Sequence, residues 1–337
     1  MVFRSRTSDR THPTAHSSQG NDRLADAPKA RLARIEHEKL LGYHRLHAWT
    51  VPDMTMTRRA LLGAGALAAS CGIWPARAAR PFRLGLTPVF LDNDAAVIER
   101  LRVALAGALG TAVEMEQRRT YKEVTEMLLE GALDAAWLCG YPYLQHRDAL
   151  SLVAVPVWNG KPLYRSYLIV GAGDDAGSLA DLKGDVHAFS DPDSNSGYLV
   201  TASDLAMKGL RAEEFFGRTI FTYGHRNVVR AVSSGLVRSG SVDGYVWEAL
   251  ARMEPALTAG TRVISRSEWL GFPPVCARSD RIGDKDVARF QKAVLNFGAS
   301  AAGRAALDLL QLDGMTRATP ALFDGIARRM QILNSLR

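Results

Sequence analysis

The sequence predicts a two-lobed α/β protein in which mixed sheets are flanked by helices and a ligand cleft lies between the lobes. From residue 80 onward, short apolar runs alternate with longer amphipathic ones, which is typical of sheets covered by helices. One pattern of helix, glycine and strand occurs twice. With 337 residues, of which 47% are hydrophobic, the chain is long enough to build two lobes.

The alternation begins with segments that we assign to the first lobe. "FRLGLTPV" predicts a strand, Asp92 to Leu109 a helix, "AVEMEQR" a strand, Val124 to Leu129 a helix, and "LDAAWLC" a strand. Thr120 and Glu123 have the spacing of a capping box, which predicts a helix start at this point. The phenol of Tyr121 would then lie near unpaired backbone N–H groups.

The repeated pattern consists of "TYKEVTEMLLEGALDAAW" and "GHRNVVRAVSSGLVRSGSVDGYVW". Each stretch opens a helix, has a glycine near the end of that helix, and then enters a strand. Tyr121 opens the first helix and His225 opens the second. We therefore expect two similar lobes, with both side chains facing the cleft that the lobes share.

Two segments have the composition of strands that cross between the lobes. "LYRSYLIVGAGDD" would leave the first lobe, and "ISRSEWLGFPPVCAR" would return to it. The helical pattern after Asp284 would pack on the first lobe. The predicted bounds are therefore 79–170 with 270–337 for lobe 1 and 171–269 for lobe 2.

A polar loop, "DPDSNSGY" at residues 191–198, precedes a helix predicted from Gly197 or Tyr198 to Leu210. Ser194, Asn195 and Ser196 would lie at the helix entrance, where an anion receives backbone N–H groups, hydroxyls and the positive end of the helix dipole. The same residue types are also the commonest helix caps. Both interpretations, an anion site and a simple cap, remain open at this point.

The stretch "MTRRALLGAGALAASCGIWPARA" predicts a twin-arginine export signal over residues 54–78. It contains an arginine pair, an apolar run too short to span a membrane, and an A-x-A cleavage pattern. The mature chain would begin near Ala79 and be free in the periplasm, with a lipid anchor at Cys71 as the alternative. Residues 1–53 are predicted to be a disordered extension, with Met54 or Met56 as the true start.

The charge distribution argues against a nucleic-acid partner. The formal net charge is +7, but residues 80–337 hold 30 Lys and Arg against 29 Asp and Glu, so the folded part offers no basic footprint for phosphates. Cys139 and Cys276 remain after removal of the signal. An oxidising compartment permits a disulfide between them, and two buried free thiols are the alternative.

Four motifs of the chain are "SDPDSNSGYLVT", "GHRNVVRAV", "VDGYVWEAL" and "DAAWLCGYPYL". They resemble motifs of the periplasmic phosphate-, phosphite- and phosphonate-binding proteins of ABC importers, a branch of the type 2 periplasmic-binding fold, and the resemblance covers roughly Arg80 to Ile326. The most specific motif is 194–198, where members of the family typically have Ser-Thr-Ser followed by glycine and an aromatic residue. Asn195 departs from that pattern because it lacks the threonine hydroxyl.

The resemblance implies which residues hold an oxyanion. Ser194, Asn195 and Ser196 would bind the phosphonate oxygens, and Tyr121 and His225 match the tyrosine and histidine that contact the phosphonate in this family. It further implies an exported, monomeric solute-binding protein that delivers a phosphonate, phosphite or phosphate to an ABC permease, with no cofactor and no metal.

Two further residues follow from the same resemblance. Glu248 matches a carboxylate that recognises the amino group of aminoalkyl phosphonates, although the second carboxylate expected on the returning strand is absent from "LGFPPVC". Tyr141 follows the strand "LDAAWLC" and is expected to line the cleft.

An enzyme, a ferric-ion carrier and a ligand sensor are the alternatives to this function. Ser196, His225 and Asp243 supply the residue types of a catalytic triad, but no G-x-S-x-G elbow is present, and we predict no enzymatic activity. Tyr141, Tyr143, His225 and Asp243 could ligate ferric ion. A third alternative is a ligand-sensing role with a membrane signalling partner in place of the permease.

Overall fold

The computed structural model describes residues 80–88 and 95–336. All of them belong to one compact unit, Arg77–Arg337. The extension predicted over 1–53 and the export signal predicted over 54–78 lie outside the described residues. Among the helices in the described ranges, none has both the length and the apolar character needed to cross a bilayer.

The strands are short and follow the apolar runs of the sequence. In chain order they are β1 (Phe82–Leu86), β2 (Val113–Gln117), β3 (Ala135–Trp137), β4 (Leu150–Val157), β5 (Leu163–Tyr164), β6 (Ser166–Gly171), β7 (Val186–Phe189), β8 (Arg218–Phe221), β9 (Ser239–Asp243), β10 (Thr261–Arg266), β11 (Leu270–Gly271), β12 (Val275–Arg278) and β13 (Gly314–Thr316).

The helices cover the sheets and carry the amphipathic segments. They are α1 (Ala95–Leu109), α2 (Tyr121–Leu129), α3 (Gly140–Gln145), a π turn (Asn195–Leu199) that continues into α4 (Val200–Ala206), α5 (Ala212–Phe215), α6 (His225–Ser233), α7 (Gly244–Met253), α8 (Pro255–Thr258), α9 (Lys285–Leu295), α10 (Ala301–Leu309) and α11 (Asp324–Asn334). Short 3₁₀ turns lie at Leu179–Leu182, Ser279–Arg281, Phe297–Ala299 and Pro320–Phe323.

Two mixed sheets form the two lobes. The first has the order β13-β4-β12-β3-β1-β2, with β1 parallel to β2 and β3, and with β12 antiparallel to β3 and β4. The second has the order β10-β6-β9-β7-β8, with β7 parallel to β8 and β9, and with β6 antiparallel to β9 and β10. The predicted two-lobed α/β architecture of mixed sheets flanked by helices is confirmed.

The chain passes between the sheets twice, as the Gly- and Pro-containing segments predicted. All strands of the second sheet lie between residues 166 and 266, whereas the first sheet takes strands from both sides of that range. Between the two, β5 and β11 pair in a two-residue antiparallel ladder, Tyr164 opposite Leu270. The lobe bounds, 79–170 with 270–337 for lobe 1 and 171–269 for lobe 2, remain a prediction. β6, at 166–171, falls mostly within the range predicted for lobe 1 but belongs to the second sheet.

The repeated sequence pattern is confirmed as a structural repeat. Helices α2 and α6 each have nine residues, beginning at Tyr121 and His225. Each is followed by a glycine in the left-handed region, Gly131 at φ +77° and Gly235 at φ +72°, where a side chain would add strain. The capping box predicted at Thr120 is also present, with both reciprocal bonds to Glu123.

The helix predicted after the polar loop was wrong at both ends. It begins at Asn195, because the hydroxyl of Ser194 accepts a hydrogen bond from the Gly197 N–H and thereby acts as the cap. The first turn has π geometry, and the α-helical part ends at Ala206. Gly209, at φ +71°, then turns the chain.

Arg329 joins the C-terminal helix to the second lobe. Only 8% of this residue is exposed. Its guanidinium donates to both carboxylate oxygens of Glu268 at 2.8 and 2.6 Å, to Asp204 Oδ1 at 2.7 Å, to the Ser203 hydroxyl at 2.8 Å and to the Val200 carbonyl at 3.1 Å. Helix α11 is thereby held against α4, the helix that follows the polar loop.

The second lobe contains a buried histidine in its interior. His187 has no exposed surface, and its two ring nitrogens lie 2.8 Å from the Ser239 hydroxyl and 2.9 Å from the Ser241 hydroxyl. Its ring stacks on Phe216 with the centroids 4.3 Å apart. Burial lowers the pKa of His187 to about 3, so that this imidazole is neutral at physiological pH.

Candidate functional site

The beginnings of four helical segments meet in one buried cluster. Tyr121 is the first residue of α2, Asn195 the first of the π turn and His225 the first of α6, while Asp243 caps α7. Each of these four residues is at most 1% exposed. Helix starts carry the positive end of the helix dipole, which suits a bound anion.

Tyr121, His225 and Asp243 are linked across the cluster. The Asp243 backbone N–H donates to His225 Nδ1 at 3.1 Å, and His225 Nε2 lies 3.1 Å from the Tyr121 hydroxyl. Because Nδ1 accepts, the hydrogen of a neutral imidazole is on Nε2, which therefore donates to the Tyr121 oxygen. The hydrogen of the Tyr121 hydroxyl is then free to be donated to another acceptor.

Burial keeps the groups of this link uncharged. It lowers the pKa of His225 to about 3. Burial also raises the pKa of Tyr121 well above its usual range, reinforced by the charges of Cys139, Asp191 and Asp243 and opposed by the Ser194 hydroxyl. At neutral pH both side chains are therefore neutral hydrogen-bonding groups.

The serine-rich loop packs against the strands that cross between the lobes. The Ser166 hydroxyl, at the start of β6, donates to the Ser196 carbonyl at 2.6 Å. The side-chain amide of Asn195 donates to the Tyr164 hydroxyl at 2.7 Å. Ser194, Asn195 and Ser196 are thus brought together with Tyr121 and His225, as the resemblance implied, although their roles remain a prediction.

Gly197 is required by the packing of this loop. A Cβ at this position would lie 1.8 Å from the Ser190 hydroxyl oxygen, 2.7 Å from Ser190 Cβ and 3.0 Å from His225 Cε1. Every larger side chain would therefore collide with Ser190 and crowd the imidazole. The glycine sets the distance between the polar loop and α6.

The backbone of Tyr141 is connected to the cluster through the thiol of Cys139. The Asn195 backbone N–H donates to Cys139 Sγ at 3.3 Å, and the Tyr141 backbone N–H also interacts with that thiol. Tyr141 is 8% exposed. Cys139 and Cys276 are both free and buried, which decides between the disulfide and the free thiols that the sequence left open.

Glu248 lies apart from these groups. It follows Asp243 by five residues in α7, is half-buried, and accepts a hydrogen bond from the Tyr167 hydroxyl at 3.0 Å. No hydrogen bond within the described ranges joins its carboxylate to Tyr121, His225 or the serine-rich loop. Its role in recognising an amino group remains a prediction.

Sequence reasoning did not assign Tyr164, Asp191 or Asp243 to the binding site. Asp191 accepts from the Tyr121 backbone N–H at 3.1 Å and from the Asp193 N–H at 2.8 Å, which ties the polar loop to α2. The sequence suggested Asp243 only as a member of a catalytic triad or as a ligand of ferric ion. Its position between a strand and a helix, in the second copy of the repeat, was a usable signal, whereas nothing local distinguishes Tyr164.

A cavity of about 730 Å³ lies elsewhere, between α1, α9 and the residues that follow α9. Within residues 80–88 and 95–336, no group of three or more His, Cys, Asp and Glu side chains is arranged to hold a metal ion.

Comparisons with known proteins agree with this architecture. The model of the family described as the periplasmic substrate-binding protein of phosphonate ABC transporters matches residues 84–323. A binding-protein component of an ABC phosphonate transporter from Pseudomonas aeruginosa has 20% sequence identity and a TM-score of 0.71, with 76% of this chain and 88% of that chain covered.

Two other solved structures have the same fold. PhnD1 from Prochlorococcus marinus, solved in complex with methylphosphonate, has 19% identity and a TM-score of 0.66, with 75% of this chain and 98% of that chain covered. A histidine kinase sensor domain similar to periplasmic binding proteins has 17% identity and a TM-score of 0.50, with 71% and 98% covered. At these identities the likeness concerns the fold alone.

Proposed function

Since the chain belongs to the family of periplasmic substrate-binding proteins of phosphonate ABC transporters, we propose that it binds a small phosphorus oxyanion in the buried cluster of Tyr121, His225 and the serine-rich loop. The ligand would be a phosphonate, phosphite or phosphate, and the protein would deliver it to an ABC permease. Family membership supports this function over a sensor or a ferric-ion carrier. The binding itself involves no chemical reaction.

One observation carries the proposal: the link from Asp243 through His225 to Tyr121 leaves a hydroxyl hydrogen available beside several helix starts. An oxyanion placed there would accept from the Tyr121 hydroxyl, from serine hydroxyls and from backbone N–H groups. Hydrogen bonds to a charged acceptor contribute about 1.5–3 kcal/mol each. Neutral donors held by burial can therefore bind an anion without a lysine or arginine.

The cellular setting belongs to the same proposal. We infer that the segment 54–78 exports the protein by the twin-arginine route, and that the mature chain acts in the periplasm as a monomer. Tyr141 would line the site from the first lobe. Glu248 would be reached only by a ligand with a substituent long enough to extend toward Tyr167.

Isothermal titration calorimetry of the purified protein with methylphosphonate, phosphite, phosphate and sulfate tests this function. Replacing Ser196 by alanine should weaken binding of the preferred oxyanion by about 1–3 kcal/mol, because one hydrogen bond to a charged group is lost. His225→Ala should also weaken it. Ser151→Ala, whose hydroxyl pairs with Ser279 in the first lobe, is the matched control and should bind normally.

Two results would contradict the proposal. If the wild-type protein bound none of these phosphorus oxyanions, the assigned ligand class would be wrong. If it bound one of them and Ser196→Ala and His225→Ala both bound it as tightly as wild type, the ligand would occupy a different site.

A further inference from the structure

The side-chain amide of Asn195 is buried with only one of its two polar atoms paired. Its Nδ2 donates to the Tyr164 hydroxyl oxygen at 2.7 Å, whereas Oδ1 has no hydrogen-bond partner in the protein. Both residues are 0% exposed. Buried polar atoms without a partner are rare in folded proteins, because such an atom loses its bonds to water without replacement. Packing alone therefore does not explain this amide.

The backbone around Asn195 is paired without help from its side chain. The Asn195 N–H donates to Cys139 Sγ at 3.3 Å, and its carbonyl accepts from the Val200 N–H at the end of the π turn. The Ser194 hydroxyl caps the turn by accepting from the Gly197 N–H at 3.0 Å. The turn is therefore held by other atoms, and the amide is available for a ligand.

A half-turn of the amide about the Cβ–Cγ bond exchanges its oxygen and nitrogen while the side chain keeps its shape. The Tyr164 hydroxyl, which can donate as well as accept, would then donate to Oδ1. The NH₂ group would take the position that Oδ1 has in this structure and present its hydrogens there. An acceptor at that position would pair the amide completely, and an ionised oxygen would form the stronger bond.

Tyr164 is held firmly enough to orient the amide. Its backbone pairs with Leu270 in the ladder of β5 and β11, and its ring packs on Phe272 with the centroids 5.6 Å apart. Burial is the main cause that raises the pKa of Tyr164 well above its usual range. The phenol therefore keeps its hydrogen at neutral pH and can donate it to Asn195.

The amide lies in the cluster that the proposed function assigns to an oxyanion. Burial is the main cause of the raised pKa of both Tyr164 and Tyr121, and Cys139 and Asp243 add to it in both cases. The two phenols therefore approach the same groups, one from β5 and the other from α2. Among the side chains in the described ranges, three have a buried oxygen without a partner, and they are Ser190, Asn195 and Asp243. Polar atoms in need of a partner thus gather in this cluster, as expected where a polar ligand binds.

We propose that Tyr164 is a positioning residue: by donating to Asn195 Oδ1, it holds the amide with its NH₂ group toward the bound oxyanion. This inference rests on the proposed function, because it assumes a phosphorus oxyanion in the cluster. The ligand oxygen accepts from Nδ2, and Tyr164 pairs the amide oxygen that is otherwise buried alone. A residue of the crossing strand β5 thereby fixes which atom of the loop meets the ligand.

Tyr164→Phe tests this role, since it removes the hydroxyl and keeps the ring that packs on Phe272. Isothermal titration calorimetry with methylphosphonate, phosphite and phosphate measures the affinity. The oxyanion that the wild type prefers should bind the variant about 10- to 100-fold more weakly, because the amide can then face the anion only with Oδ1 buried and unpaired. Tyr143→Phe, which removes a phenol hydroxyl from α3 beside Phe323, is the matched control and should bind as the wild type does.

A double-mutant cycle separates an effect through Asn195 from a direct contact with the ligand. Asn195→Ala removes the amide, while the serine hydroxyls and Tyr121 keep the binding measurable. In this background Tyr164→Phe should change the affinity by less than about twofold. Nuclear magnetic resonance of the ¹⁵N-labelled wild-type protein adds a readout that a purely structural role would not move. The side-chain NH₂ signal of Asn195, identified by its absence from Asn195→Ala, should shift downfield when the ligand binds.

The outcomes separate the two proposals. If the wild type binds none of these oxyanions, the proposed function fails, and this inference fails with it. If it binds one of them and Tyr164→Phe binds it equally well, or the Asn195 NH₂ signal stays in place, only the positioning role is wrong. If Tyr164→Phe weakens binding as much in the Asn195→Ala background as in wild type, Tyr164 meets the ligand itself, which also overturns the inference. Thermal unfolding of the ligand-free variants establishes that each is folded.

Discussion

Gly197→Ala is a substitution for which the structure predicts a large effect from a small chemical change. The added Cβ would lie 1.8 Å from Ser190 Oγ and 2.7 Å from Ser190 Cβ. A different Ser190 rotamer would move the hydroxyl but not its Cβ, so the backbone must shift. The imidazole of His225, at 3.0 Å, is held on both sides by Tyr121 and Asp243 and cannot yield freely.

Overpacking of this kind costs about 1–3 kcal/mol. For a chain of this size, each kcal/mol lowers the midpoint of thermal unfolding by about 2–4 °C. Since the loop would move away from His225, the affinity for methylphosphonate should fall as well. Differential scanning calorimetry and isothermal titration calorimetry measure the two effects on the same protein.

Two further variants make the prediction specific. Gly107→Ala lies in α1, where an added Cβ meets open space, and should be neutral or stabilise by up to about 1 kcal/mol through helix propensity. Ser190→Gly removes both colliding atoms and should restore part of the stability of Gly197→Ala, with a coupling energy of about 0.5–3 kcal/mol. A Gly197→Ala protein as stable as wild type, or no coupling with Ser190→Gly, would refute the packing argument.

Three other predictions concern residues outside the loop. The pKa of His187 is about 3 in the folded state and about 6.5 in the unfolded chain. Burial of the neutral imidazole therefore contributes fully to the free energy of unfolding above pH 6.5. This contribution is lost as the pH falls, and the loss reaches about 2 kcal/mol at pH 5. His187→Gln should therefore lose about 2 kcal/mol less than wild type between pH 7 and 5 in urea unfolding, and an equal loss would contradict the assignment. Arg329→Met leaves Glu268 and Asp204 without their cation and should lower the free energy of unfolding. Because the ion pairs are partly exposed, the expected loss is limited to about 2–3 kcal/mol. A change below about 0.5 kcal/mol would show that the contacts contribute little. Because Cys139 and Cys276 are free and buried, both should react with an alkylating reagent after unfolding in the absence of reductant, and neither should react in the folded protein. A disulfide-linked peptide detected by mass spectrometry would contradict this prediction.

Much of the architecture could be predicted because it depends on local patterns. Short apolar runs and helical apolar spacing identified β1 to β3 and α1, and the capping box at Thr120 identified the start of α2. The residues that make up each of these signals lie close together in the sequence, so the signals can be recognised without tertiary information. The repeat also identified Tyr121 and His225 as equivalent helix starts.

Prediction was weaker where distant segments decide the geometry. The helix after the polar loop was placed two or three residues late and extended four residues too far, because a π turn and a cap by Ser194 are not visible in residue spacing. Glu248 was assigned by family resemblance, but its partner in the fold is Tyr167, a residue 81 positions away.

The sequence by itself determined the two-lobed α/β class, the family, and the residue types that gather at the helix starts, since each depends on periodicity or on contiguous motifs. Only the tertiary structure decided that Tyr164 and Asp191 join the cluster, that the tautomer of His225 is set by the Asp243 N–H, and that Asp243 Oδ2 is buried without a partner. These features depend on contacts between segments 18 to 70 residues apart. Hydrogen bonding and burial at such separations arise from packing, and the local sequence does not encode them.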